Sequence, residues 1–333
     1  MIAAALLFAA TPGVTDDPMR EFLTVLTAVL PVFCIAGAGV LLRKINWLTE
    51  EADQSLLRVT INLLSPCLIF DKILQNEALR QPSNVFLPPI VGFATVAVGL
   101  WVGRFGARFA GLKDQRTVGT FALCVGLYNY GYFPLPLAET LFDRETVGVL
   151  FVHNLGVEIA MWTLGIVVIS GAKIGSGWRK VLNPPVIAIL AALLFNALHG
   201  YEWIPSFVIL TAKMLGQCAI PMGLILIGAI VADHLREFHS TVGWRVVLTG
   251  SVLRLGLLPI GFLLLARYLP CTIELKRVIV LQGAMSSAVF PIAMARHYNG
   301  DPATALRVVI GTSVIGFVTI PIWIRLGMKF VDL

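Results

Sequence analysis

The stretch Tyr128-Asn129-Tyr130-Gly131-Tyr132-Phe133-Pro134-Leu135-Pro136 lies inside an otherwise apolar run of membrane-spanning length. A helix crossing a bilayer should not carry an asparagine, a glycine and two prolines near its middle. Proline removes a backbone donor, and the hydrocarbon holds no water to satisfy the groups that a helix break leaves unpaired. Such a break is tolerated where it is buried in protein or lines a wet cavity, and in transporters that cavity is the substrate site. A second Phe-Pro pair, Phe290-Pro291, sits in the other half of the chain.

Composition agrees with a membrane solvent. Of 333 residues, 57% are hydrophobic and 13% charged, and the mean hydropathy is +0.85. A soluble domain holds about 45–50% apolar and about 25% charged residues, so a water-soluble fold is excluded. A span needs about 20 mostly apolar residues, and about ten stretches qualify. In the first half they are Phe22–Leu42, Ser55–Leu74, Phe86–Ala107, Val118–Phe142 and Val147–Ser170. In the second half they are Pro184–Leu198, Phe207–Val231, Trp244–Tyr268, Val278–His297 and Ala303–Arg325. The expected fold is an all-α polytopic membrane protein, multi-pass in a cell (inner) membrane.

The net charge of +6 reflects loop lysines and arginines and gives no reason to expect nucleic acid as a partner. An extracytoplasmic N-terminus places Arg104, Arg108, Lys113 and Arg116, then Lys173, Arg179 and Lys180, on the cytoplasmic side, as the positive-inside rule prefers. Arg267, Lys276 and Arg277 run against that orientation. Cys34, Cys67, Cys124, Cys218 and Cys271 are odd in number and never in a Cys-x-x-Cys pair, so they read as packing residues rather than metal ligands. No metal site and no cofactor is expected. The apolar start Met1–Pro18 lacks a basic region and is a poor signal peptide, and Met19 is an equally good initiator.

The two halves echo each other. Pro31 answers to Pro185, Pro66 to Pro221 and Phe133-Pro134 to Phe290-Pro291, at a nearly constant offset of about 155 residues. The expected organisation is a tail (1–21), a first five-helix repeat (22–170), a cytoplasmic connector (171–183) and a second five-helix repeat (184–333). Five is odd, so the second copy enters the membrane inverted, which brings the broken fourth and ninth helices together near the midplane.

Broken helices offer half-helix N-termini whose free N–H groups attract anions. Asn129 can donate and accept, and Tyr130 or Tyr132 can cover a ligand beside Gly131 and Pro134. Around Pro291 the second break contributes Ser286, Ser287 and Gln282. The bland reading of Asn129 is that it caps its own broken helix. A carboxylate at mid-span, Glu158, needs a partner, a proton or water. A structural ion pair with Arg254 is one reading; the other is that Glu158, preceded by His153 and Asn154, carries a coupling proton. An enzyme is not expected. His153 and Glu158 do not stack on one helical face, and no nucleophile elbow, Walker loop or zinc-protease motif is present.

These residues resemble the auxin efflux carrier family of bacterial permeases and plant PIN-type carriers. The likeness runs from about Phe22 to Val331. It rests on the break Asn129–Pro136, Gln217–Gly228 with its central Pro221, Arg254–Pro259, Tyr298-Asn299-Gly300-Asp301 and Gly311–Pro321. The resemblance implies ten spans in two inverted repeats with crossed fourth and ninth helices. It further implies a scaffold of spans one, two, six and seven, a mobile transport part from the rest, elevator-like movement and a homodimer. Its substrates are organic anions, auxin in plants and malate- or malonate-like dicarboxylates in bacteria. One position departs: the family usually has proline where this chain has Ser286, so its break is expected displaced to Pro291.

The expectation is therefore a secondary transporter moving a small carboxylate by alternating access, driven by H+ or Na+. Two alternatives stay open: a sodium-coupled symporter of the bile-acid type, and a non-transporting membrane sensor or partner subunit. Dry packing around Asn129 would favour the sensor.

Overall fold

The computed structural model describes residues 18–171, 178–240 and 243–333. The expected tail and connector lie partly outside the described residues, at 1–17 and 172–177. Among the described residues the regular elements are helices, joined at one point by an antiparallel β-bridge between Tyr128 and Ser287.

Helix α1 spans Pro18–Lys44. Helix α2 (Glu50–Val59) runs through a π-turn (Thr60–Leu64) into α3 (Ser65–Ile73), and α4 spans Ser83–Gly106. Helices α5 (Gln115–Gly126) and α6 (Pro134–Leu141) are the halves of the first broken crossing. Helix α7 (Arg144–Ala160) continues through a π-turn (Met161–Gly165) into α8 (Ile166–Ser170), and a single turn, α9 (Trp178–Val181), follows. Next come α10 (Pro184–Ala197), α11 (Ser206–Gln217) and α12 (Ala219–Ser240). Helix α13 (Trp244–Val252) runs through a third π-turn (Leu253–Leu257) into α14 (Leu258–Tyr268). Helices α15 (Ile273–Ala284) and α16 (Phe290–His297) form the second broken crossing, and α17 spans Pro302–Val331.

Among the described residues, six helices are long and apolar enough to cross a membrane: Leu23–Lys44, Ser83–Gly106, Arg144–Ser170, Ser206–Asp233, Trp244–Tyr268 and Pro302–Val331. The remaining four expected stretches are helical too, but differ for physical reasons. The second begins with the charged α2, the sixth is the 14-residue α10, and the fourth and ninth are interrupted. Large apolar side chains such as Phe86, Trp101, Phe207 and Val314 stand exposed, as a lipid solvent requires.

Two of the π-turns immediately precede a proline in the following helix, Pro66 in α3 and Pro259 in α14. A proline within a continuous helix clashes with the carbonyl four residues earlier and takes away its donor. For Pro259 that carbonyl belongs to Leu255, and the Trp323 indole of α17 donates to it at 2.5 Å. A tertiary side chain thus replaces the missing backbone donor, which is how membrane helices tolerate such kinks.

The helices pack in two sets. Helix α1 lies against α12, and α3 lies against α10 and α11. In the other set, α4 packs on α5 and α7, α14 on α15, and α17 on α13 and α15. Glycines allow the closest approaches. A Cβ on Gly39 would fall 2.1 Å from the Ile225 carbonyl oxygen, and one on Gly228 would fall 1.9 Å from that of Ala36. The α1–α12 contact is therefore backbone against backbone, the small-residue packing that replaces hydrophobic driving force in lipid.

The sets meet along α1 and at one end of the bundle. Phe33 packs edge-on against Phe317, centroids 4.8 Å apart, and against Phe133 at 5.3 Å. At the end where α3 finishes, Lys72 pairs with Glu139, and Arg144 donates to the carbonyls of Asp71 and Leu74. There Asn76 donates to the Arg144 carbonyl (3.1 Å), and Asn196 of α10 donates to the Asn76 carbonyl (3.0 Å).

Replacing Gly228 with leucine should force α1 and α12 apart, at a cost of about 1–3 kcal/mol from overpacking. Gly37, where a Cβ meets nothing within 4 Å, serves as the control. A clear fall in the thermal midpoint in detergent is expected for Gly228→Leu and none for Gly37→Ala. Equal midpoints would contradict the close approach.

Candidate functional site

Helix α5 starts cleanly, with Asp114 accepting from the backbone N–H groups of Arg116 (3.1 Å) and Thr117 (3.3 Å). It stops at Gly126, where the chain turns extended (Leu127 φ −96°, ψ 106°) and regains helix only at Pro134. Helix α15 does the same from Ala284, with Met285 at φ −70°, ψ 144° and a restart at Phe290-Pro291. The expected displacement of the second break to Pro291 does not occur. The break covers 285–289 and contains Ser286, while Pro291, like Pro134, sits in the first turn of the second half-helix, where its missing N–H costs nothing.

The two extended segments run antiparallel across each other. Asn129 donates its N–H to the Ser286 carbonyl (2.8 Å), and Ala288 donates to that of Leu127 (2.9 Å). Tyr128 and Ser287 are thus a directly opposed pair. The alternation of an extended chain puts Asn129 and Ser286 together on the other face.

Several of the other freed backbone groups take side chains as partners. The Tyr130 carbonyl, which the absent N–H of Pro134 would have engaged in a continuous helix, accepts from Asn154 Nδ2 (2.7 Å) and Gln282 Nε2 (3.3 Å). Gln282 also donates to Asn154 Oδ1 (3.1 Å). Arg254 takes the carbonyls at the end of α15: Nε to Met285 (2.8 Å), Nη2 to Gln282 (3.0 Å) and Gly283 (3.2 Å). The Ser287 N–H reaches Thr312 Oγ1 (3.3 Å) in α17. Tyr128 is fully buried, and its hydroxyl meets Thr95 at 2.9 Å.

On the face away from Tyr128, two polar side chains stand outside this network. The amide of Asn129 (9% exposed) and the hydroxyl of Ser286 (5% exposed) have no hydrogen-bond partner among the described residues. Asn129 caps nothing, since α6 begins at Phe133 without a side-chain cap, and α16 likewise begins at Val289 without one. Beside them the break borders open space: a Cβ on Gly131 would meet nothing within 4 Å. The arrangement offers an amide, a hydroxyl and two uncapped helix N-termini, which together can hold an anion.

Gln282 and Ser287 turn out differently. Gln282 is wholly buried with its amide nitrogen given to the framework, and Ser287 lies on the Tyr128 face with its hydroxyl unpartnered. Tyr132 leaves the break to meet Ser65 Oγ at 3.2 Å, and its ring fills the space above Gly223 of α12. It therefore links the crossing to the α1–α3 and α10–α12 set.

The Glu158–Arg254 ion pair is corrected. Glu158 Oε1 accepts from the Tyr130 hydroxyl (2.7 Å), while Oε2 accepts from Trp162 Nε1 (2.9 Å) and Asn183 Nδ2 (3.1 Å). Arg254 is buried among carbonyls instead, because the end of α15 presents a cluster of freed acceptors that suits its planar fork. Sequence reasoning missed Asn183, Trp162, Thr95 and Thr312. Trp162 follows Glu158 by four residues, a spacing that could have pointed to it. Asn183 before Pro184-Pro185 has the look of an N-cap, and it does accept from the Val186 N–H (3.0 Å), but its bond to Glu158 is tertiary.

A sequence model described as Membrane transport protein matches residues 24–176 and again residues 172–324. A protein of Methanothermobacter thermautotrophicus described as an uncharacterized transporter is 26% identical over 305 residues, covering 89% of this chain and 96% of its own. A second uncharacterized transporter, from Methanocaldococcus jannaschii, is 24% identical over 303 residues with the same coverage of both chains.

The hydrogen-bond pattern gives a double-mutant test. Glu158→Gln combined with Tyr130→Phe should show coupling of about 0.6–1.7 kcal/mol, the range for bonds between membrane helices. Glu158→Gln combined with Arg254→Lys should be additive within about 0.5 kcal/mol. Strong coupling in the second pair, measured by reversible unfolding in bicelles, would restore the ion pair.

Proposed function

The chain belongs to the membrane transport protein family of auxin efflux carriers and related permeases, and from that premise we propose that it is a secondary carrier of a small carboxylate. It is a membrane transporter, and nothing in its family points to an enzyme. The substrate site is the crossing. Asn129 donates its amide to a carboxylate oxygen, Ser286 donates its hydroxyl, and the N-termini of α6 and α16 supply a positive potential. Pro134 and Pro291 fix where those N-termini lie. Tyr130 and Gly131 form the wall beside the open space, and Tyr132 joins it to the neighbouring helix set.

The observation that carries this reading is that Asn129 and Ser286, side by side on one face of the crossing, keep their side-chain polar atoms outside its hydrogen-bond network. An amide and a hydroxyl not used by the framework are free to donate to a ligand that accepts from them. A sensor with a dry, packed crossing would have no use for the open space at Gly131, so the transport reading is preferred to it.

Coupling is assigned to Glu158. Its carboxylate accepts from Tyr130 in the break and from Asn183 at the start of α10, so it ties one helix set to the other. Protonation weakens these charge-assisted bonds and frees the sets to move, which makes H+ the driving ion. The movement is an elevator-like shift of the α4–α8 and α13–α17 set against the α1–α3 and α10–α12 set. The protein resides in a cell (inner) membrane with its N-terminus extracytoplasmic.

In proteoliposomes offered labelled mono- and dicarboxylates, Asn129→Ala should lose about ten- to a hundredfold in uptake, since a hydrogen bond to a charged group contributes about 1.5–3 kcal/mol. Its thermal midpoint should stay at the wild-type value. Undiminished uptake would remove Asn129 from the site. Glu158→Gln should still bind the acid but no longer accumulate it in response to an imposed pH gradient, and retained proton-driven accumulation would exclude Glu158 as the coupling residue.

A further inference from the structure

Arg254 is 0% exposed, in the π-turn Leu253–Leu257, and it forms no ion pair among the described residues. A guanidinium does not give up its proton in a protein, so this is a permanent positive charge. Its carbonyl partners at the end of α15 are the negative pole of a helix dipole, equivalent to only about half a charge. Nη1 is buried with no hydrogen-bond partner among the described residues. Glu158, the carboxylate at mid-span in α7, is committed to Tyr130, Trp162 and Asn183. A buried cation without a counter-ion is strongly unfavourable unless function requires it.

Its location relates it to the crossing from both sides. The guanidinium carbon lies 5.0 Å over the ring of Tyr128, the residue before Asn129. Its Nε holds the carbonyl of Met285, the residue before Ser286. Phe262 packs against both, its ring centroid 5.5 Å from the guanidinium carbon and 5.5 Å from the Tyr128 ring, and keeps these surroundings apolar. Arg254 thus stands behind the face that carries Tyr128 and Ser287, while the two unpartnered side chains occupy the opposite face.

We propose that Arg254 sets the charge selectivity of the crossing, acting through space as the fixed cation whose counter-ion is the bound substrate. The inference rests on the reading of the crossing as the substrate site. It deepens that reading by requiring that the group lodged at Asn129 and Ser286 be negatively charged, and that neutral molecules of the same shape be rejected. Arg254 is a positioning and specificity residue, since it also orders the second break and touches no substrate atom. In surroundings this apolar, a fixed unit charge is expected to give about a tenfold preference or more for the acid.

The test compares each labelled acid of a panel (acetate, malonate, malate, indole-3-acetate) with its neutral amide, by binding to the purified full-length protein. Wild type should prefer acid to amide by at least about tenfold. Arg254→Gln should bring that ratio towards one, chiefly by weakening the acid. Arg254→Lys keeps the charge but puts a compact ammonium where a planar fork spans the carbonyls, so it should lose thermal stability while keeping the preference for acid. If Arg254→Gln does not fold, the lysine variant decides alone. A lysine variant that folds and has lost the preference overturns the proposal, as does a folded glutamine variant that retains it. Wild-type protein that binds none of the acids, or binds amides equally, overturns the carboxylate-carrier reading and this proposal with it.

Discussion

The constraint on which the structure depends is that backbone N–H and C=O groups released inside the hydrocarbon must find partners within the protein. Two helices are interrupted at mid-span, and each interruption releases groups that an unbroken helix would have used. The segments resolve this by pairing with each other, Asn129 to Ser286 and Ala288 to Leu127. What the pairing leaves over is taken by side chains from elsewhere: Asn154 and Gln282 at the Tyr130 carbonyl, Arg254 at the end of α15. Each break thus supplies backbone partners to the other. On the proposed reading the same constraint gives the crossing its ligand groups, because side chains that the backbone does not need stay available to one.

Around that centre the packing separates what must be rigid from what can shift. The α1–α12 contact and the approaches of α4 to α5 and α7 are made by glycine against backbone, with Gly92 facing His153 and Gly156 facing Pro89. Contacts of that kind do not slide without loss of fit. Between the two helix sets the contacts are of another sort: aromatic rings at Phe33, a tyrosine hydroxyl at Ser65, and polar ties at Lys72, Asn76, Arg144 and Glu158. Bonds of this kind can be exchanged for water or for other partners, so this boundary is where an alternating-access movement would pass. Glu158 is a carboxylate on that boundary that also touches a break residue.

Much of the fold and part of the candidate site were legible in the sequence, for identifiable reasons. Phe133-Pro134 and Phe290-Pro291 announce the breaks because proline in an apolar run has few physical explanations. Asn129 stands out because an unsatisfied amide in lipid must have a purpose. The pairing of Glu158 with Arg254 failed for an equally plain reason. Depth along a helix can be read from sequence, but the direction a side chain takes around the axis depends on its neighbours. The carbonyls that attract Arg254 become free only because α15 breaks where it does, and no residue type marks them. Ser286 misled as well. A proline is one way to break a helix, but a guanidinium that binds the released carbonyls makes the break as secure without one. Asn183 and Thr312 contribute through contacts between distant segments, and local pattern carries no record of those.

If the crossing holds the substrate, an anion sits between Asn129 and Ser286. The most direct measurement is solid-state NMR distance recoupling between the 15N-labelled side-chain amide of Asn129 and the 13C-labelled carboxylate of an acid that the wild-type protein accumulates. A dipolar contact corresponding to about 4 Å, absent when the unlabelled acid is in excess, is the predicted result, since a hydrogen-bonded carboxylate places its carbon at about that distance from the donor nitrogen. Saturating acid with no recoupling to Asn129 would contradict the account, because the substrate would then be bound elsewhere in the bundle.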